Sequence, residues 1–202
     1  RLDHASGAIE ATLGGELRAG NVHSRRFVNL AGRRGARTFD AEQFARTATL
    51  YGELRLKPAA GLSLIAGGVY ADGVRRQRET FSNGPADNRA RADFDAFSPK
   101  FGVLLDAMPG VQIYGNYSRS VEFPGFIELA QLAAFVPLAP QRAWTAEIGT
   151  RGTRGLLSWD LSLYRADIKG ELLQYTPSAD IPASTFNAAN TRHEGIEAAL
   201  EI

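Results

Sequence analysis

The sequence predicts an all-β fold, an antiparallel β-barrel that crosses a membrane. Three observations point there. Apolar and polar residues alternate with period two over much of the chain. Short turns alternate with long polar connections. The alternating stretches also run longer than the strands of most globular sheets.

Composition narrows the field from the other side. The chain has 202 residues, 44% hydrophobic and 22% charged, which sets it apart from disordered segments. No stretch free of Asp, Glu, Lys and Arg reaches the about 20 apolar residues of a membrane-spanning helix. The charges nearly cancel, 23 basic against 22 acidic, and give no support to a nucleic-acid binder. Cysteine is absent, which excludes disulfides, zinc–thiolate sites, iron–sulfur clusters and cysteine nucleophiles. The lone methionine is Met108, and the chain begins Arg1-Leu2-Asp3, so a fragment or processed segment is expected.

Eight strands are predicted, at about 7–18, 42–56, 61–71, 93–106, 110–121, 141–151, 155–168 and 191–202. In the first, Ile9, Ala11 and Leu13 oppose Glu10 and Thr12. Leu50, Gly52, Leu54 and Leu56 alternate with Tyr51, Glu53 and Arg55, and Leu62, Leu64, Ala66 and Gly68 follow the same rule. The stretch 101–105 is apolar on both faces. Ile113, Gly115 and Tyr117 alternate with Gln112, Tyr114, Asn116 and Ser118; Trp144, Ala146 and Ile148 alternate with Thr145, Glu147 and Gly149. Leu157, Trp159, Leu161 and Leu163 oppose Ser158, Asp160, Ser162 and Tyr164, and Ile196, Ala198 and Leu200 oppose Gly195, Glu197 and Ala199. No segment holds a sustained helical period, although 127–135 suits a short helix within a loop.

The connections carry as much weight. Tight turns are expected at 57–61, 106–110 and 152–155, and long polar loops at 19–41, 72–92, 122–140 and 169–190. Loops of that length argue against a compact soluble domain, whereas an outer-membrane barrel has short periplasmic turns and long extracellular loops. Inside hydrocarbon every backbone N–H and C=O must find a partner within the protein, and a closed sheet achieves this without any long apolar run. Tyr117, Trp144, Trp159 and Tyr175 are candidates for the aromatic girdles at the membrane boundaries; the alternative places them in the core of a soluble sandwich.

From Phe97 onward the chain resembles the TonB-dependent outer-membrane receptors, of the siderophore-receptor type. The resemblance rests on Phe97-Ser98-Pro99-Lys100-Phe101-Gly102-Val103, on Ile113-Tyr114-Gly115-Asn116-Tyr117-Ser118-Arg119-Ser120, and on Phe123-Pro124 followed by Glu128-Leu129. It continues through Leu138-Ala139-Pro140-Gln141, Trp144-Thr145-Ala146-Glu147-Ile148-Gly149, the strand 159–168 with Tyr164, and Asn187, Asn190 and Gly195-Ile196-Glu197. The first 96 residues agree in pattern only.

Such receptors have a plugged barrel of about 22 strands. The resemblance therefore implies that 1–202 is one segment of a larger barrel domain, with the plug domain and its TonB-binding region outside the chain. The absence of a terminal aromatic after Glu201-Ile202 fits that expectation. The resemblance further implies a Gram-negative outer membrane, energy-coupled uptake of a scarce solute (a ferric siderophore or similar chelate foremost), coupling to the TonB complex, contact with outer-membrane lipid and lipopolysaccharide, and no cofactor.

The residues offer one clue to the ligand. The 19–41 stretch holds Arg25, Arg26, Arg33, Arg34 and Arg37 against a single acid, Asp40, and the 72–92 stretch adds Arg75, Arg76, Arg78, Arg89 and Arg91. Guanidinium groups grip carboxylates and similar oxygen pairs with forked hydrogen bonds, so Arg33, Arg34, Arg37, Arg75, Arg76 and Arg78 are candidate contacts for an anionic ferric chelate. Contact with lipopolysaccharide phosphates, or plain solvation, is the alternative. His4, His23 and His193 lack metal-ligand spacing. Ser118, Ser120 and Ser162 sit in no nucleophile elbow, and Gly14-Gly15 and Gly67-Gly68 precede no helix, so neither catalysis nor a phosphate loop is expected. Two rival readings remain: a complete eight-stranded outer-membrane barrel with a structural or adhesion role, in which strands 7–18 and 191–202 must pair, and a soluble all-β binding module.

Overall fold

The computed structural model describes residues 1–82, 89–131, 135–176 and 183–202. Nine strands form one antiparallel sheet: β1 (Leu2–Ser6), β2 (Ile9–Leu30), β3 (Arg33–Ala59), β4 (Leu62–Ser82), β5 (Arg89–Met108), β6 (Val111–Glu122), β7 (Gln141–Arg154), β8 (Leu157–Lys169) and β11 (Asn190–Glu201). A four-residue helix, α1 (Phe126–Leu129), lies between β6 and β7, and β9 (Leu172–Tyr175) pairs with β10 (Ser184–Asn187) in a separate two-stranded sheet. Each strand of the large sheet pairs with its neighbour in sequence, except that β8 pairs with β11.

Several expectations change. The sheet has nine strands rather than eight, because 2–6 turns back at Gly7 to pair with β2. The 19–41 stretch is not a loop: β2 and β3 run on as a hairpin, 22 and 27 residues long, to a two-residue turn at Ala31 and Gly32, where both residues have positive φ. Asn29 Oδ1 accepts the Gly32 N–H there at 2.8 Å. Much of 72–92 is likewise strand, with 83–88 outside the described residues. The predicted 127–135 helix is confined to α1, with 132–134 outside the described residues. The 169–190 stretch contains β9 and β10, and 177–182 lies outside the described residues.

Register assigns the faces. Leu13 lies opposite Gly52, Leu50 opposite Tyr70, Tyr70 opposite Phe97, and Phe101 opposite Tyr117. Ile148 lies opposite Leu163, which lies opposite Ile196. One face of the sheet is thus a continuous apolar band, yet its members stay exposed: Ile148 by 59% and Leu163 by 52%. An exposed apolar surface of this extent marks contact with something other than water. The band occupies 48–56 of β3, about the length a tilted strand needs to cross hydrocarbon. Much of β3 therefore stands outside the bilayer. Tyr117 and Trp144 stack at 4.8 Å at the edge of the band, and Trp159 lies at its other end, as girdle residues should. Tyr175 is on β9, away from the wall.

The opposite face carries an interlock of tyrosine on glycine. Tyr51, Tyr114 and Tyr164 lie opposite Gly14, Gly149 and Gly195. A Cβ at Gly149 would sit 2.4 Å from the Tyr114 ring and 2.6 Å from the Leu161 carbonyl oxygen, so the ring can cross the strand only over a glycine. At the short-turn end, Gly110 adopts φ +78 and donates no side chain where a Cβ would lie 2.8 Å from Thr153 O.

The sheet is open: β2 pairs with β1 and β3, and β11 pairs with β8, so the strands expected to close an eight-stranded barrel do not meet.

The band predicts an asymmetry between the two faces of β7. Ile148→Arg should destabilise the assembled barrel by about 2–4 kcal/mol, while Thr145→Arg on the opposite face should cost well under half of that. Equilibrium unfolding from lipid vesicles measures both.

Candidate ligand mouth and lumen face

The face opposite the apolar band carries a run of polar and charged side chains toward the short turns. Near the short turns, Gln112 Nε2 donates to Asp106 Oδ1 (2.7 Å), and Arg151 Nε donates to Gln112 Oε1 (3.0 Å) while its guanidinium lies over the Tyr114 ring. The Tyr114 hydroxyl lies 3.3 Å from Glu147 Oε1 and 3.4 Å from Asp160 Oδ1, and Asn116 Nδ2 donates to Glu147 Oε2 at 2.8 Å. Lys100 pairs with Glu53, and Lys57 with Glu10. Strands with one apolar and one hydrogen-bonded ionic face suit a wall between lipid and an aqueous or protein-filled lumen.

At the other end this inner face is covered. Ala41, Gln43, Gln77, Phe94 and Ala96 are buried there, and the connection between β6 and β7 lies over Phe94. Phe123 stacks on Phe94 at 5.3 Å, above Gly73, where a Cβ would meet the Phe123 ring at 2.7 Å. Gln43 Nε2 donates to Gln77 Oε1 at 2.8 Å, satisfying two buried amides. Pro124 and Leu129 are fully buried, and Glu128 accepts the Gly125 N–H at the start of α1 (2.8 Å). Arg26 Nη2 donates to the Ala130 carbonyl (3.1 Å), tying the hairpin to this loop. Gln131 Nε2 donates to Thr185 O (2.7 Å), and Asn187 exchanges hydrogen bonds with the Ala139 backbone at 2.9 Å in both directions. The two loops and the β2–β5 extension thus form one tied assembly at the mouth.

The six candidate arginines do not converge. Arg33 and Arg34 sit at the hairpin tip; Arg33 is exposed, and Arg34 stacks on Phe27 at 4.8 Å. Arg37 stacks on Phe81 at 4.4 Å and pairs with Asp40 at 2.7 Å. Arg75 points to the inner side, donating to Arg46 O (3.1 Å) and Thr47 Oγ1 (3.3 Å). Arg76 and Arg78 lie on the outer face, opposite Arg91 and Arg89.

One cluster is assembled by the register from residues the sequence places apart. Asp40, 5% exposed, accepts hydrogen bonds from His23 Nε2 (2.5 Å) and Arg37 Nη1 (2.7 Å), with Arg25 at 3.9 Å. Its partners lie three to seventeen residues away across a bulged hairpin, so only the register reveals them. The His23 hydrogen bond first, and then the charges around it, hold the Asp40 carboxyl below the usual aspartate range. Among the described residues no three His, Asp or Glu side chains form a metal-holding group.

An open antiparallel wall with one apolar face and one largely polar face, its long connections gathered at one rim, defines a segment of a large outer-membrane-type barrel. Residues 2–202 match the family described as TonB dependent receptor-like, beta-barrel, and the chain belongs to that family. Among solved structures it is similar to the copper transporter OprC (TM-score 0.79, 13% identity), covering 98% of this chain and 33% of that one. It is also similar to the siderophore receptor PiuA from Acinetobacter baumannii (0.74, 14%; 98% and 34% covered). A third is the ferric-catecholate import receptor Fiu from K12 E. coli (0.68, 20%; 98% and 33% covered). The chain therefore spans about a third of the length of these receptors. The small closed barrel and the soluble module are set aside by the open sheet and the family match.

The Asp40 cluster sets a pH dependence. A carboxyl whose folded pKa is depressed contributes stability above its unfolded pKa and loses it as pH falls through the folded value. Amide exchange over 23–40 should stay protected from neutral pH down to the ordinary aspartate range and increase only below it. Asp40→Asn should remove that acid step.

Proposed function

We propose that this chain is one wall of the barrel of an outer-membrane transporter in a Gram-negative bacterium, which imports an anionic ferric chelate, a ferric siderophore foremost, without reaction chemistry of its own. The observation that supports it most is the tied mouth: two long connections and the β2–β5 extension gathered over a polar lumen, beside Arg26 and Arg75 on the inner side. Arg33, Arg34 and Arg37 at the hairpin tip form an outer basic collar that concentrates the anion, and Arg75 stands on its path into the lumen. The plug domain, in the part of the receptor beyond this chain, fills the lumen against the Tyr114–Glu147–Asp160 face and carries the region that engages the TonB complex. Neighbours named for ferric-catecholate import and for siderophore reception favour iron; one named for copper makes copper the competing cargo.

The test is uptake of radioiron by iron-starved cells, presented as ferric citrate, a ferric hydroxamate or a ferric catecholate, with and without the receptor. Receptor-dependent uptake of one of them supports the reading. Uptake of copper and of none of the three contradicts it. Charge reversal at Arg33, Arg34 and Arg37 together should weaken chelate affinity about tenfold, the scale of one charge-assisted hydrogen bond, and flatten its salt dependence. Unchanged affinity and salt dependence would remove the collar from the ligand path.

A further inference from the structure

The inner face of β4 beyond the band carries two opposite charges that lack a charged partner. Arg75, Gln77 and Glu79 follow one another on that face, with Ala45, Gln43 and Ala41 opposite them on β3. Arg75 donates through Nη1 to the Arg46 and Val74 carbonyls (3.1 Å each) and to Thr47 Oγ1 (3.3 Å), and among the described residues no carboxylate pairs with it. Burial draws its pKa below the usual arginine range. Glu79 is 9% exposed, and among the described residues its carboxylate has no hydrogen-bond or ion-pair partner. Arg26, the inner-face arginine of β2 at the mouth, is committed to the Ala130 carbonyl and to the Phe39 ring. The Glu79 oxygens are nonetheless not sealed, since the sealed and unpartnered side-chain atoms among the described residues are Arg55 Nε and Thr191 Oγ1.

A carboxylate buried to this degree without a counter-charge is costly, and local violations of this kind mark functional sites. The missing partner is cationic and comes from outside this wall. Position selects its source. Glu79 is nine residues beyond Tyr70 at the top of the band. At about 3.3 Å per residue and about 40° of tilt, that is roughly 20 Å above the hydrocarbon edge. The inner face assigned to the plug lies instead level with the band, where Glu147 neighbours Ile148. A cation at Glu79 therefore enters from the mouth, with the cargo. We propose that the row Arg75, Gln77 and Glu79 is a dipolar subsite for an iron chelate that carries a cationic amine, with the iron-binding oxygens toward Arg75 and the amine on Glu79. The two charges stand about 13 Å apart along the strand, with the Gln43–Gln77 amide pair between them. An amine with a pKa near that of lysine is protonated at neutral pH, and a charge-assisted hydrogen bond from it to Glu79 supplies the absent partner.

The inference rests on the ferric-chelate reading and narrows its cargo to chelates with both signs of charge. Its test is equilibrium binding to the full-length receptor in mild detergent. The probes are the ferric complexes of a linear trihydroxamate and a linear tris-catecholate, each ending in a primary amine, the same two with the amine acetylated, and ferric citrate. The receptor should bind an amine form at least about tenfold more tightly than its acetylated counterpart. Glu79→Gln should bring the two forms to equal affinity, Glu79→Asp should retain part of the preference, and Arg75→Gln should weaken both forms while leaving their ratio intact. The melting temperature of the unliganded receptor should not fall in Glu79→Gln, because the substitution removes an unpaired charge; this also shows that the variant folds. Equal binding of the amine and acetylated forms, or an unaltered preference in Glu79→Gln, would overturn the proposal. A lowered melting temperature in Glu79→Gln with the preference intact would assign the carboxylate to a basic side chain elsewhere in the receptor and overturn it too. Binding of ferric citrate with neither amine chelate bound would overturn this inference and leave the transport reading standing, whereas binding of none of the iron chelates would contradict both.

Discussion

Backbone N–H and C=O groups in hydrocarbon have no partner except one another. That constraint shapes this chain more than any side chain does. Each strand from β2 to β8 is paired on both sides through the apolar band, with antiparallel neighbours in sequence order and short turns at one rim. Only after the ladder has satisfied the backbone is each residue free to serve its face, and the period-two pattern follows. Ile148 faces outward beside Leu163, while Glu147 faces inward toward Tyr114 and Asn116. The glycines serve the same constraint. Tyr114 and Tyr164 lie flat across neighbouring strands because Gly149 and Gly195 leave room, so bulky rings fill the inner surface without displacing the ladder.

What was legible in the sequence is what the membrane writes there. Alternation marks a contrast between two environments. Where β3 runs between lipid and lumen, Leu50, Leu54 and Leu56 stand out against Tyr51, Glu53 and Arg55 and the strand is visible. Where β2 and β3 pass beyond the band both faces are wet or covered by polar loop, and residues such as Asn21, His23 and Arg25 no longer contrast with their neighbours. The 19–41 stretch therefore resembled a loop although it is a continuous hairpin. β1 was missed for a similar reason: five residues with a single large apolar side chain, Leu2, give no period to read.

The mouth was less legible than the wall because its contacts are long-range. Arg26 reaches Ala130 across 104 residues, and Gln131 reaches Thr185 across 54. Counting arginines by segment grouped residues that the pleat then separated. Arg75 and Arg76 are adjacent in sequence and on opposite faces of the sheet. Face, rather than proximity along the chain, divides these arginines between the inner and the outer side of the wall. The Asp40 cluster shows the same limit, since a bulge at Arg26 and Phe27 sets which side chains meet.

All of this depends on the apolar face meeting lipid and the polar face not meeting it. The chain contains no cysteine, so a label placed in this wall meets no competing thiol within it, and any cysteine in the rest of the receptor is first replaced by serine. The most direct measurement is spin labelling at each position from Ala143→Cys to Thr150→Cys in the receptor reconstituted in bilayers, reading collision with oxygen, which partitions into lipid, against a water-soluble nickel chelate. Oxygen accessibility should be high at 144, 146, 148 and 150 and low at 143, 145, 147 and 149, in strict alternation. Uniform accessibility, or nickel collision at 146 and 148, would contradict the account.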